Sequence, residues 1–398
     1  MRTLLYTGKG GVGKTSLASA TALASAKLEH RTIAISTDGA HSLGDALLVP
    51  LGPDPVEIKP NLYGQEVDVL REMELHWKEV YGYLSALLAS QGVEEITARE
   101  AVVFPGMELI TALLLLQRYQ REGNWDVVVM DTAPTADTLR LLSFPDVLQW
   151  YFDHFLKLQR HVLKVARPTV GRMMRTPLPS DRFFDTLEDL YTRFKDVRKL
   201  LSDSAHTSVR LVVNPQRMVI NETRRAYTYL NLFDIPVEMV VVNRVLPPSA
   251  RGDFLERERR EQQVNLQAIQ ESFGELPQRQ VPYYPEEVLG EEKLLRLSHD
   301  VFGDSDPTTI FARSRPIRFF ARGDRRYVRL ELPFAERETL DVSARGDTLF
   351  VKVGWYKRSL TLPVAYASLP VARATFENGV LLVEFEPEPA AEGSRAHP

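Results

Sequence analysis

The chain has 398 residues, with 53 acidic against 49 basic side chains, a formal charge of −4, 44% apolar and 26% charged residues. That is ordinary globular usage for about two to three folding units; it excludes a disordered or fibrous chain and gives no electrostatic ground for a nucleic-acid partner. Cysteine is absent, which excludes disulfides, thiolate zinc sites, iron–sulfur clusters and cysteine nucleophiles.

Residues Arg2–Thr7 read as a short buried strand, Thr15–Leu28 as an alanine-rich helix and Arg31–Ser36 as a second strand, which is the parallel βαβ unit. Trp125–Met130, Val209–Val213 and Val237–Val242 are further apolar strands. Strands of this kind alternating with helices predict an α/β fold, a doubly wound and mainly parallel sheet covered on both faces. Two helical insertions interrupt it, at about 68–120 and 145–201. The second is broken within 166–179 by three prolines, a glycine and the pair Met173–Met174. Arg251–Gln263 mixes both charge signs and predicts a solvated helix.

The α/β part is expected over 1–302, followed by a linker at 303–316. Six short strands come next, at 326–332, 339–344, 348–353, 358–362, 371–376 and 380–385. With turns at Arg345–Asp347 and Glu377–Gly379 they predict a small β-sandwich over 317–387, and 388–398 should form a disordered tail. No run of about 18 uncharged apolar residues is present, so an integral membrane protein is not expected. The N-terminus runs straight into a glycine loop with no room for a cleavable signal, and a cytoplasmic protein is the expectation.

Three motifs carry chemistry. The first is the run Gly8, Lys9, Gly10, Gly11, Val12, Gly13, Lys14, Thr15, Ser16. Its glycines let successive backbone amides face a phosphate chain at a helix N-terminus. Lys14 would neutralise the β and γ phosphates of ATP, and the Thr15 hydroxyl would ligate Mg²⁺. Lys9 adds a further cation that cannot easily fold back onto its own nucleotide. The second is Asp38, at the end of a strand beside this loop, where it could orient or deprotonate the attacking water. The third is Asp131 in Asp131-Thr132-Ala133-Pro134-Thr135, placed to hold Mg²⁺ directly or through water. Alone, either aspartate reads as a helix or turn cap; beside the glycine loop the functional reading stands.

These motifs, with Val242-Asn243-Arg244 and Val281-Pro282-Tyr283, resemble the ATPase family that unites the ArsA-type arsenite-pump ATPases with the Get/TRC tail-anchored-protein targeting factors. The resemblance covers roughly residues 1–300. It implies that Asp38 is the catalytic aspartate of switch I, that Asp131 opens switch II, and that Asn243 reads the adenine edge with Arg244, Pro282 and Tyr283 flanking the base. It further implies that Lys9 reaches the nucleotide of a partner subunit, hence a homodimer with two ATPs at its interface. Helices inserted at these places form a groove for a client transmembrane helix in the targeting factors. Here Trp150, Phe152, Phe155, Leu156, Leu163, Met173 and Met174 offer more apolar surface than one amphipathic stripe needs; the other reading is that they pack on the sheet.

Departures from the family pattern occur at Gly39, where proline is usual, at Ala136-Asp137, where Gly-His is usual, and in the missing cysteines. Without thiolates, neither a metalloid site nor a dimer-clamping zinc can operate. Ala374–Leu381, with Arg326–Pro333, resembles the α-crystallin domain of small heat-shock proteins. The combined expectation is a homodimeric Mg²⁺-dependent ATPase coupling ATP turnover to capture and release of hydrophobic helices such as tail-anchored proteins, with transient contact to a membrane receptor. The alternatives are the motor of an arsenite or anion pump and an ATP-binding holdase acting through the β-domain.

Overall fold

A computed structural model describes residues 1–37, 42–91, 94, 107–132, 179–367 and 369–387. The chain forms two compact units, one of residues 1–226 with 235–314, the other of 227–234 with the chain from 315 onward.

The first unit is built on one eight-stranded sheet. In chain order it contributes β1 (Arg2–Thr7), α1 (Lys14–Lys27), β2 (Thr32–Ser36), α2 (Ser42–Leu47), β3 (Val56–Lys59) and β4 (Leu62–Glu66). Then come α3 (Val69–His76), α4 (Lys78–Ser90), α5 (Met107–Glu122), β5 (Val127–Asp131), α6 (Asp181–Ser202) and β6 (Thr207–Val213). The series closes with α7 (Arg217–Leu232), of which 217–226 belong to this unit, β7 (Val237–Val245), α8 (Asp253–Phe273), β8 (Gln278–Pro282) and α9 (Gly290–Phe302). The strand order is β3-β4-β2-β5-β1-β6-β7-β8, parallel except for the antiparallel edge pair β3–β4. β1, β2, β5 and β6 are apolar because both faces are covered, and nearly every position is buried.

Strand order and register decide where chemistry can occur. β5 lies between β1 and β2, with Asp131 opposite Tyr6 on one side and Ser36 on the other. The last residues of three strands therefore meet at one edge, where ligands bind in open parallel sheets. The alanine-rich α1 suits its position: Leu17, Ala18, Ala20, Ala22 and Leu23 are all buried, since small side chains let a helix approach a sheet closely. In the insertions, Leu113–Leu116 are buried within α5. α3 and α6 begin with side-chain caps, from Asp68 to the Arg71 amide (3.0 Å) and from Ser180 to the Phe183 amide (3.1 Å).

The segment expected as a linker is fastened to the first unit. Arg2 Nε donates to the Thr308 carbonyl (3.1 Å), Arg210 to the Pro307 carbonyl (2.5 Å), and the Phe311 amide to Glu238 (3.4 Å). Beneath them Glu238 accepts from both Arg2 (2.6 Å) and Arg210 (2.7 Å), with Arg210 and Glu238 fully buried. Asp306 meets His30 at 2.9 Å. Burial alone would raise the Asp306 carboxyl, but bonds from Thr308 and His30 outweigh it and hold the group below its ordinary value.

The second unit is antiparallel throughout. One sheet has the order β14-β15-β10-β9, from β14 (Val371–Glu377), β15 (Val380–Phe385), β10 (Arg325–Glu331) and β9 (Ile317–Arg322). The other is β11-β12-β13, from β11 (Leu340–Arg345), β12 (Thr348–Val353) and β13 (Tyr356–Thr361). Asn378 and Gly379 have φ of +51° and +72°, the two left-handed residues that a type I′ hairpin turn requires. β9 lies within the span expected for the sandwich but is not among the six strands expected there; Arg318 and Arg322 are exposed along it and interrupt the apolar pattern.

Candidate nucleotide site

The loop after β1 is shaped by two glycines. A Cβ on Gly8 would lie 2.3 Å from the Val212 carbonyl oxygen, and one on Gly13 would lie 2.3 Å from Asn243 Nδ2. Gly13 also has φ +98°, a left-handed conformation that glycine adopts without penalty. It stands at the N-cap of α1, which has no side-chain cap and no acidic residue in its first turn. The leading amides and the positive end of the helix are thus left to an anion. Lys14 is buried and donates to the Lys9 carbonyl across the loop (3.2 Å).

At the strand edge, the Thr15 hydroxyl donates to Asp131 Oδ2 at 2.6 Å, and Ser42 Oγ lies 3.4 Å from the same hydroxyl. Asp131 is buried, and its backbone carbonyl accepts from the Thr37 amide (3.0 Å) and hydroxyl (3.3 Å). The next residue, Thr132, is tied by amide and hydroxyl to the Tyr6 carbonyl (3.2 and 2.9 Å). Both motifs that flank the loop are therefore braced on one another through β1 and β5. Hydroxyl, carboxylate and hydroxyl form a hard oxygen set of the type Mg²⁺ selects. Ser42 went unnoticed in the sequence; its signal was its position one turn-length after Ser36-Thr37-Asp38. Asp38 itself lies outside the described residues, as do Trp150, Phe152, Phe155, Leu156, Leu163, Met173 and Met174.

Asn243 and Arg244 belong to β7, Pro282 ends β8, and Tyr283 follows it. β7 outruns the apolar pattern because Tyr283 donates its amide to the Val245 carbonyl (2.8 Å), prolonging the parallel pairing with β8. Asn243 Nδ2 donates to the Val12 carbonyl (2.8 Å), and its Oδ1 accepts from the Arg244 amide (2.9 Å). Arg244 takes φ +60°. Gln262, buried on α8, bonds the Arg244 carbonyl (3.2 Å) and the Leu246 amide (2.9 Å). The stretch expected to be merely solvated thus supplies a buried brace; Gln262, Ile269 and Phe273 face inward.

Asn243, Arg244, Pro282 and Tyr283 line one cavity of about 1200 Å³ with Gly13 and Ser16 of the loop. Its far wall, residues 284–289, is pinned by Lys293 to Glu286 (2.6 Å) and by the Tyr284 hydroxyl donating to Asp300. Burial and the Asp300 carboxylate raise the Tyr284 hydroxyl well above the ordinary tyrosine value. Lys9, by contrast, faces α7, its ammonium 3.6 Å from Glu222.

A glycine cradle on an uncapped helix, opening from the central strand of a parallel sheet and flanked by Thr15 and Asp131, defines a P-loop ATPase domain. The profile of the anion-transporting ATPases (ArsA) matches residues 1–303, and that of the HSP20-like domain found in ArsA matches 323–385. The chain belongs to the ArsA ATPase family, and it is an ATPase of that type. A protein of Chlorobaculum tepidum named "Putative arsenical pump-driving ATPase" is 37% identical over 391 residues, spanning 98% of this chain and 96% of its own. An Aquifex aeolicus protein, "Putative arsenical pump-driving ATPase 1", is 37% identical over 393 residues, with 96% and 99% covered. "ATPase GET3" of Podospora anserina is 28% identical over 310 residues, covering 75% of this chain and 89% of that protein.

Proposed function

We propose that the chain is a homodimeric, Mg²⁺-dependent, cytoplasmic ATPase that couples ATP binding and hydrolysis to capture and release of hydrophobic, membrane-protein-like helices. The observation that carries the ATPase half is the 2.6 Å bond between the Thr15 hydroxyl and the Asp131 carboxylate beside the glycine loop. These two groups, with Ser42 near, would hold Mg²⁺, which when bound screens the charge on the β and γ phosphate oxygens. Lys14 neutralises the same phosphates, and the α1 amides orient them. Asp38 positions the attacking water. Asn243, Arg244, Pro282 and Tyr283 take the base, with Asn243 linking the base site to the phosphate loop through Val12. Lys9 leaves Glu222 and reaches the partner's nucleotide.

The client half rests on the large apolar side chains between Trp150 and Met174 in the second insertion and on similarity to a GET3 ATPase. Because Thr37 bonds Asp131, a change at either switch is felt at the other. For Asp38→Asn, nucleotide affinity should persist while turnover falls about 10²–10³-fold. The test pairs that assay with photo-crosslinking of a hydrophobic helical peptide in the ATP and ADP states. Unchanged turnover sinks the catalytic assignment; crosslinks confined to 317–387 move the client to the β-domain and favour a holdase. The names of the 37% identical relatives favour a second reading, the motor of an arsenical pump. A soft metalloid asks for thiolates, and the sequence has no cysteine; arsenite stimulation of turnover is the result that would restore it.

A further inference from the structure

We propose that the tip of the β12–β13 hairpin is an anchor for a bilayer surface bearing anionic headgroups. The turn is Gly354-Trp355, with Gly354 at φ +57° and its amide bonded to the Thr339 carbonyl (3.0 Å). Trp355 is 92% exposed, whereas Trp77 and Trp125 are buried. A large ring left in water forgoes the stabilisation that burial gives Trp77 and Trp125.

A second anomaly sits at the same tip. The register sets Lys352 directly opposite Lys357 on one face of the hairpin. Like charges at such a pair destabilise it. Lys357 extends over the Phe350 ring, 4.8 Å from its centre. Asp341 flanks Lys352 on its other side in β11, yet neither lysine forms an ion pair among the described residues. An exposed indole and two ammonium groups set against one another become favourable together at one kind of surface. Tryptophan settles at the headgroup level, with its body in the acyl boundary and its N–H in the wet layer. Lysines beside it gain attraction to anionic lipid. An apolar pocket on a protein partner would explain the ring but not the paired lysines.

This anchor does not depend on the reading of the insertions, and none of its residues belongs to the nucleotide site. The experiment uses the full chain with vesicles of mixed phosphatidylglycerol and phosphatidylcholine, against phosphatidylcholine alone. Co-sedimentation and a blue shift of tryptophan emission are expected with the anionic vesicles only. Trp355→Ala should abolish the shift and weaken binding about tenfold. Lys357→Glu gives the separating readout: it exchanges the contact with Phe350 for opposite charges across the strands, so Tm holds, while vesicle binding falls on the order of fivefold or more. ATP turnover without vesicles should be unchanged in both variants. The proposal is overturned by absence of binding to anionic vesicles, by binding that both variants retain, or by Trp355 crosslinking to a hydrophobic peptide in a chain that ignores vesicles.

Discussion

Strand β6 of the first unit is buried along its whole length, whereas β12 of the second alternates between buried and open positions. In a sheet covered on both faces, most side chains between the strand ends only pack, the buried pair Arg210–Glu238 being the charged exception. Polar chemistry is driven to the edge where the strands stop, and Thr37, Asp131 and the loop after β1 all lie there. A sandwich leaves one face of every strand in water, so charged and aromatic groups can be displayed along faces and at hairpin tips, as Trp355 is. Catalysis concentrates in the first unit and surface display in the second for the same reason: which sides of a strand are covered.

Two ion pairs, one from each unit, sit in opposite surroundings. Arg210 and Glu238 are both fully buried in the first unit, while Arg325 and Glu384 of the second pair on the surface. The sharpest test is Glu238→Gln, which leaves Arg210 without its buried counter-ion and should lower stability by about 3–5 kcal/mol in urea unfolding. A loss below about 1 kcal/mol would show that the pair adds little beyond an apolar filling. Gly13→Ala comes next: a left-handed alanine against Asn243 should cost about 1–3 kcal/mol and weaken nucleotide binding more than it lowers Tm. Binding at the unaltered affinity would mean that the loop relaxes freely. The smallest effect belongs to Arg325→Ala, where solvent screens the pair and no measurable shift in Tm is expected. A clear drop there would erase the contrast between the two pairs.

The sequence made the nucleotide site legible because its residues fall at the ends of continuous apolar runs, Leu4–Tyr6 and Val127–Met130, which announce buried parallel strands. Asn378-Gly379 was legible for a different reason, since that dipeptide supplies both positive φ angles of its turn. What stayed hidden lacks local pattern. β3 and β8 lie at the edges of the sheet and carry few apolar residues, and β9 is masked by arginines on its open face. Gln262 and Ser42 act through partners brought near only by the fold, and the fastening of residues 306–311 depends on Arg2, Arg210 and Glu238, which no spacing connects.

The contact between Gly13 and Asn243 has an evolutionary consequence. The two positions are far apart in the chain yet share one space, so their substitutions are not independent. A shorter residue can replace Asn243 while Gly13 stays, leaving the Val12 carbonyl short of one donor. The reverse order meets a collision at 2.3 Å on top of a left-handed backbone. Position 243 can therefore change first, whereas a side chain introduced at position 13 meets Asn243 and a left-handed backbone together.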